Sequence, residues 1–263
     1  MHATRRAFLA QAATLLAATA MPRPAAHSAA TRDKAFDART LRQALADAGV
    51  ADARPDAAIR IEAPELADNP AAFPIQVESA LPGTVALALF IDRNPFPYLA
   101  RFNFYAGAAP FVGLKARIAE SSQLRVVAFT PEGRNAATRK IHAAAGGCAA
   151  DDAQPPDYPD PPPAIKMRAR TESGGVDLRV LLTHPMENGL RKSAGGAPIP
   201  ERFIHEFAMR VNGQPVLSAE LGRSMSQNPL LAFRLARAAP GDRIELSWRD
   251  SAGARRTDEM RLT

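Results

Sequence analysis

The chain has 263 residues, of which 46% are hydrophobic and 23% charged, and it carries a formal net charge of +6. This composition is typical of an ordinary globular protein that buries one or two cores. Arg5, Arg6 and Arg23 account for half of the charge excess, so anion binding has only weak support. No basic run is interleaved with aromatic residues, which excludes the usual signature of a nucleic-acid-binding protein.

Residues 1–30 have the layout of a twin-arginine-type signal peptide. Arg5 and Arg6 precede an apolar run that ends in small residues near Ala20. At about 14 residues this run is shorter than the roughly 20 that span a bilayer, so no membrane span is expected. We expect the signal to be removed and the mature protein to be periplasmic. The alternative is an alanine-rich helix that is retained.

Residues 31–148 predict a β-rich domain that begins with a short helix. The helix is predicted at Ala35–Ala48, where apolar residues recur at helical spacing before Gly49 ends the pattern; they are Phe36, Leu41, Leu45 and Ala48. Seven short strands follow, separated by turn signals rich in Pro, Gly and Asn. Such a series predicts an immunoglobulin-like sandwich. The predicted strands are Ile59–Glu62, Phe73–Ser79, Thr84–Phe90, Ala100–Tyr105, Val112–Ala119, Gln123–Thr130 and Arg139–Ala143.

Residues 149–164 predict a linker rich in Pro and Asp. Six of the 23 prolines of the chain fall between Pro155 and Pro163, which favours an extended polyproline-type segment. At about 3.1 Å per residue, the 15 residues from Ala149 to Pro163 reach roughly 45 Å. Two domains can therefore lie side by side.

Residues 165–263 predict a second sandwich. Asn212-Gly213 is a strong hairpin signal because both residues tolerate positive φ. The fold class expected for the whole chain is therefore all-β, with two immunoglobulin-like β-sandwich domains joined by the Pro-rich linker. The predicted strands are Ile165–Thr171, Val176–Thr183, Phe203–Val211, Gln214–Leu221, Leu230–Leu235, Asp242–Asp250 and Arg255–Leu262.

The only cysteine, Cys148, follows Gly146 and Gly147 at the end of the first domain. Structural cysteines in an oxidising compartment normally come in pairs, so a single thiol predicts another role. Glycines make a segment thin and permit positive φ, and an extended arm from Ala143 to Cys148 spans roughly 20 Å. We expect Cys148 to carry a covalently bound group between other proteins. The alternative is an interdomain hinge with an incidental cysteine.

Two further readings of the thiol depend on histidines. His142, His184 and Cys148 can be imagined as a copper site, but nothing in the sequence fixes their distances. Cys148 can also be interpreted as a nucleophile with His142 as its base, yet both residues lie on one segment that is expected to be flexible. We therefore expect no metal, no cofactor and no enzymatic activity of the chain itself.

Two sets of segments resemble a known pair of proteins. The first set is Ala63–Asn69, Asp92–Pro97, Lys115–Ser122 and the Gly-Gly-Cys motif. The second set is Leu182–Lys192, Pro200–Ile204, Ser226–Pro229 and Trp248–Asp250. Through the first set, residues 59–148 resemble SoxY, the sulfur-carrier subunit of the periplasmic thiosulfate-oxidising system, and through the second set residues 165–263 resemble SoxZ.

The overall form is similar to the fused SoxYZ-like carriers linked to quinoprotein dehydrogenases. This resemblance implies two packed immunoglobulin-like domains and a cysteine arm that enters partner enzymes, either Sox-type oxidoreductases or a quinoprotein dehydrogenase system. One departure matters: Ala149 and Ala150 replace the two glycines that close SoxY, and the chain continues. The arm must then enter a partner as a loop or serve a wider pocket. The alternative function is a non-covalent binding or adaptor module for a dehydrogenase.

Overall fold

The computed structural model describes residues 34–143, 163–172, 175–193 and 195–263. We call residues 34–143 the first half and residues 163–263 the second half. The first half contains helix α1 (Leu41–Asp47) and strands β1 (Arg54–Pro55), β2 (Ile59–Glu62), β3 (Leu66–Ala67), β4 (Phe73–Ser79), β5 (Ala86–Ile91), β6 (Tyr98–Phe104), β7 (Ala108–Ala116), β8 (Ser122–Thr130) and β9 (Gly133–Ala143). The second half contains β10 (Ala164–Glu172), β11 (Gly175–Thr183), β12 (Ile204–Val211), β13 (Gln214–Leu221), β14 (Leu230–Leu235), β15 (Arg243–Asp250) and β16 (Arg255–Arg261).

Two sheets run through both halves of the molecule. The large sheet has the order β1-β9-β8-β5-β6-β13-β12-β15-β16, with β3 also paired to β9, and the small sheet has the order β10-β11-β14-β7-β4-β2. The halves meet where β13 pairs with β6 and where β14 pairs with β7, in both cases antiparallel. The predicted all-β fold of two sandwiches is therefore confirmed, and the sandwiches are joined edge to edge by backbone hydrogen bonds.

One hydrophobic core lies between the two sheets and crosses the boundary between the halves. Phe102 of β6 meets Phe233 of β14 edge to face, with 6.1 Å between ring centroids, and Phe233 stacks on Phe207 of β12 at 5.6 Å. Aromatic rings in such contact contribute more than their buried area alone. The two halves thus share their core as well as their sheets.

A second, smaller core lies on the outer face of the large sheet in the first half, beneath the N-terminal helical segment. The Tyr98 ring is stacked between Phe36 and Phe90, with centroid distances of 4.1 and 4.4 Å. The single helix predicted at Ala35–Ala48 is divided: residues 34–37 are helical, and α1 begins after Thr40. Thr40 has extended backbone angles, and its hydroxyl accepts a hydrogen bond from the Gln43 N–H, so it acts as a new N-cap.

Most predicted strands are confirmed with small shifts, and β4, β13 and β14 have the predicted bounds. The strand predicted at Val112–Ala119 is instead β7 (Ala108–Ala116), because residues 117–119 turn toward other partners. Strand β9 begins at Gly133, six residues before the predicted start. The two-residue strands β1 and β3 were not predicted, since neither contains an alternating pattern. Residues 1–33 and 144–162 lie outside the described residues; they include the predicted signal and most of the predicted linker.

Candidate functional site at the arm root

Three hydrogen bonds fix the end of β9, the last described residues before the predicted arm. The His142 N–H donates to the Glu65 carbonyl at 2.8 Å, next to the parallel pairing of β3 with β9. The Ser121 hydroxyl accepts from the Ala143 N–H at 3.0 Å and donates to the Ala143 carbonyl at 3.2 Å. We call these four residues the arm root. The predicted arm therefore starts from a strand end that is held on two sides.

The β5–β6 turn and the β7–β8 connection support the arm root from below. Asn94 is buried; its amide donates to the Arg117 carbonyl at 2.7 Å and its oxygen accepts from the Ala119 N–H at 2.9 Å. The Arg93 N–H donates to the Ser122 hydroxyl at 3.0 Å. These residues belong to two of the segments that resemble SoxY. Their shared role in this structure is to hold the loops that surround the end of β9.

Arg117 connects the arm root to the second half. Its side chain is buried, and its Nη1 donates to the carbonyls of Met186 at 2.8 Å and Met225 at 2.6 Å. The Arg117 N–H also donates to the Ser224 carbonyl at 2.8 Å. A buried guanidinium needs such acceptors, because an unpaired buried charge is strongly destabilising. The loops of the second half are therefore part of the support of the arm.

A shallow groove of about 460 Å³ runs beside the arm root. Its lining includes Asp92, Arg93, Lys140 and His142, and the His142 side chain is exposed. Burial raises the pKa of the Asp92 carboxyl, and Arg125, whose Nη2 lies 3.5 Å from it, offsets part of this increase. The groove thus places both basic and acidic groups within reach of a molecule that approaches the arm.

His184 lies in a buried polar network in the second half. Its Nδ1 accepts a hydrogen bond from the Met186 N–H at 3.0 Å, so its Nε2 carries the proton and donates to Asp250 at 3.2 Å. Burial alone would raise the pKa of Asp250, but hydrogen bonds from His184, Arg202 and the Ala254 N–H outweigh it and lower the pKa. Both ring nitrogens of His184 are therefore engaged within the protein.

The structure separates the predicted site residues into three groups. Cys148, Gly146 and Gly147 lie outside the described residues. His142 belongs to the arm root, whereas His184 belongs to the buried network around Asp250. Within the described ranges, no group of three His, Cys, Asp or Glu side chains is placed to hold a metal ion, and no helix there is long and apolar enough to cross a membrane.

Sequence reasoning missed the roles of Ser121, Asn94 and Arg117. All three lie in segments singled out for their resemblance to SoxY, so their importance was visible but their contacts were not. Arg117 carries the clearest signal, because it is a charged residue at the end of a strand that is otherwise apolar on its inner face.

Two family models match the chain. The model of sulfur oxidation protein SoxY matches residues 43–148, and that of sulphur oxidation protein SoxZ matches residues 165–261. No curated protein shows significant sequence similarity to the chain.

The chain is also similar to solved structures, but with low TM-scores. The sulfur carrier protein SoxY from Chlorobium limicola f thiosulfatophilum is 32% identical, with 42% of this chain and 96% of that chain covered and a TM-score of 0.37. A superoxide reductase (neelaredoxin) from Ignicoccus hospitalis is 21% identical, with 40% and 93% covered and a TM-score of 0.31. Both scores are low, so the family assignment rests on the two sequence models.

The two family matches, one in each half of the continuous pair of sandwiches, place the chain among the sulfur oxidation proteins. Together the matches cover most of its length. The chain belongs to the SoxY and SoxZ families, joined in that order as a fused SoxYZ-like protein.

Proposed function

We propose that the protein is a periplasmic covalent carrier that holds a sulfur-containing group on Cys148 and presents it to partner oxidoreductases. The single observation that carries this proposal is the position of the only cysteine in the chain. It is the last residue of the SoxY match and follows the arm root at Ala143 by a short, glycine-containing segment. A strand end held by Ser121 and Glu65 gives such a segment a fixed starting point.

The chemistry required of Cys148 is the formation and cleavage of one bond to sulfur. Joining a thiol to the terminal sulfur of an anionic sulfur compound forms an S–S bond and releases one proton and two electrons. A partner oxidoreductase must accept the electrons, since the chain itself is proposed to hold no redox centre. The thiolate is the reactive form, and a free cysteine with a pKa of about 8.5 is only slightly ionised at neutral pH. Positive groups of a docked partner can increase that fraction.

The proposed arm works as a loop, because the chain continues through Ala149 and Ala150 into the second half. Entry into a partner then requires a thin backbone beside the thiol. Replacing Gly146 and Gly147 together by Val adds branched side chains there and removes access to positive φ. We expect this variant to react normally with a small thiol reagent but to fail in enzyme-dependent loading. Ala149→Gly is the matched control and should load like the parent.

The most direct genetic test is the replacement of Cys148 by Ser and by Ala in a strain that lacks the native copy. Both variants should lose sulfur-compound-dependent respiration, while their free energies of unfolding stay within about 0.5 kcal/mol of the parent's, because a thiol that serves as a carrier contributes little to packing. Full respiration by either variant would contradict the carrier function. Retained function would instead favour the second candidate, a non-covalent adaptor for a dehydrogenase, in which the cysteine is incidental.

The partner class is also part of the proposal. Family membership supports Sox-type oxidoreductases, and the fused form resembles carriers linked to quinoprotein dehydrogenases. The twin-arginine-type N-terminus supports the periplasm as the place where they meet.

A further inference from the structure

The outer face of the large sheet in the second half is polar along β15 and β16, and no described helix or strand covers it. Outward side chains of neighbouring strands form rows across the sheet, because directly opposed residues of antiparallel strands share a face. In one row Arg249 of β15 lies opposite Arg255 of β16. In the next row Ser247 lies opposite Thr257. Since β16 is the last strand of the sheet, these four residues form a corner beside its open edge.

The opposed pair of arginines is poorly neutralised. Like charges directly opposite each other on a sheet are destabilising. Arg249 forms one ion pair, with Glu206, which lies directly opposite it on β12; its Nη1 and the carboxylate oxygen are 3.8 Å apart, which is beyond hydrogen-bonding distance. The Nε of Arg249 is shielded from solvent and has no hydrogen-bond partner among the described residues. Arg255 is exposed and makes no ion pair or side-chain hydrogen bond within the described ranges.

Two hydroxyl groups complete the corner. Ser247 and Thr257 stand on the same face as the arginines, one row along the strands. Opposed Cβ atoms lie about 5 Å apart and successive rows about 7 Å apart, so the four side chains can converge on one small molecule. All four line a groove of about 550 Å³. Glu206 of β12 lies directly opposite Arg249 on the side away from Arg255, and Glu220 of β13 lies opposite Glu206, so the two carboxylates confine an anion to the β15–β16 side of the groove.

We propose that Arg249, Arg255, Ser247 and Thr257 form a binding site for a tetrahedral oxyanion of charge −2, the class that includes sulfate, thiosulfate and hydrogen phosphate. Such an ion offsets the repulsion between the opposed guanidinium groups and supplies acceptors for their Nη groups. The planar guanidinium matches two oxygens of a tetrahedral anion at once. The two hydroxyl groups donate to the remaining oxygens. The site is separate from the arm root and does not involve Cys148.

The chain contains a matched control for this site. Arg168 of β10 lies directly opposite Arg179 of β11, and β10 is likewise the last strand of its sheet. Both arginines are exposed, as Arg255 is. The rows on either side, however, contain Arg170 opposite Asp177 and Lys166 opposite Leu181, so no pair of hydroxyl groups faces this pair. If sulfate responds only to overall positive charge, a substitution at either pair weakens binding equally. If the four residues form a specific site, only a substitution at the Arg249–Arg255 pair weakens binding.

The test is calorimetric titration of sodium sulfate into the full chain with Cys148→Ser, which removes thiol chemistry, against sodium chloride at equal ionic strength. We expect saturable binding of one sulfate. Arg255→Gln should weaken it at least about tenfold, as loss of a charge-assisted hydrogen bond implies. Thr257→Val should weaken it severalfold, and Arg168→Gln should leave it within twofold. Competition by thiosulfate and by hydrogen phosphate identifies which oxyanions share the site.

Two results would overturn the proposal. One is the absence of saturable sulfate binding to the parent chain. The other is an equal loss of binding in Arg255→Gln and Arg168→Gln, which would reduce the effect to overall charge. Thermal unfolding of each variant without sulfate confirms that it is folded before it is titrated. Because Cys148 is absent in this test, its outcome is independent of the carrier function.

Discussion

The two halves of the large sheet differ on their outer face. In the first half, β5 is buried along its whole length, because the core lies on one side and the N-terminal helical segment on the other. In the second half, β15 alternates between buried and solvent-facing residues. A strand covered on both faces has a continuous apolar sequence, whereas a strand covered on one face alternates. The same sheet is thus covered on both faces in the first half, which holds the arm root, and has an open polar face at its other end.

The largest expected effect distinguishes the covered face from the open one. Tyr98→Ala removes the middle ring of the Phe36–Tyr98–Phe90 stack and should lower the free energy of unfolding by about 3–5 kcal/mol. Glu245→Gln on the open face should change it by no more than about 0.5 kcal/mol. Urea unfolding of both variants measures the difference. Similar values for the two would show that the helical segment does not seal this face.

Arg117→Met tests the connection between the halves. The substitution leaves the carbonyls of Met186 and Met225 without their buried donor. We expect it to lower the free energy of unfolding by about 2–4 kcal/mol. Arg234→Met is the control, because Arg234 also contacts the opposite half through Glu78 at 2.9 Å but is partly exposed. The Arg234→Met variant should lose less than about 1 kcal/mol of the free energy of unfolding. Equal losses would mean that burial of Arg117 adds nothing to the junction.

Acidification should weaken the buried network of the second half. The pKa of Asp250 is lowered in the folded state, so its ionised form contributes stability above the unfolded value of about 3.9. That contribution is lost as the pH falls through the lower, folded-state pKa. Asp250→Asn should therefore be less stable than the parent at pH 7 and lose less on going to pH 3. Unfolding curves at both pH values test this, and parallel pH dependence of the two proteins would contradict it.

The smallest expected effect is local to the arm root. Ser121→Ala removes both hydrogen bonds to Ala143, which contribute about 1 kcal/mol in total. Amide hydrogen exchange at Ala143 should become faster, while global stability changes little. Ser122→Ala is the matched control, because that hydroxyl binds the Arg93 N–H instead. Unchanged exchange at Ala143 in Ser121→Ala would show that β3 alone holds the end of β9.

Strands whose side chains alternate, such as β4 and β14, were predicted with their exact bounds. Strand β4 has a strict buried–exposed pattern, and the Asn212-Gly213 hairpin has positive φ at both residues, as predicted. The first part of β9 lacks apolar alternation, since it contains polar residues that are half buried. The pairing of β6 with β13 depends on which edges meet in three dimensions, and no local pattern specifies it.

The candidate site was predictable only in part. The single thiol and its glycines are visible in the sequence because they are rare features in a chain with one cysteine. The support beneath them is not, because Asn94, Arg117 and Ser121 act through partners that are distant in the chain. The opposed arginines at the open edge likewise follow from strand register, which the turn at Ser251-Ala252-Gly253 fixes only once β15 and β16 are paired.

Intact-mass spectrometry of the protein isolated from its native host during sulfur-compound oxidation tests the carrier function most directly. Because the chain has one cysteine, any thiol-linked adduct must lie on Cys148. We predict an added mass that disappears on treatment with a reductant, maps to the peptide containing Cys148 and is absent from Cys148→Ser. An unmodified thiol under these conditions, or the same adduct on Cys148→Ser, would contradict the proposed function.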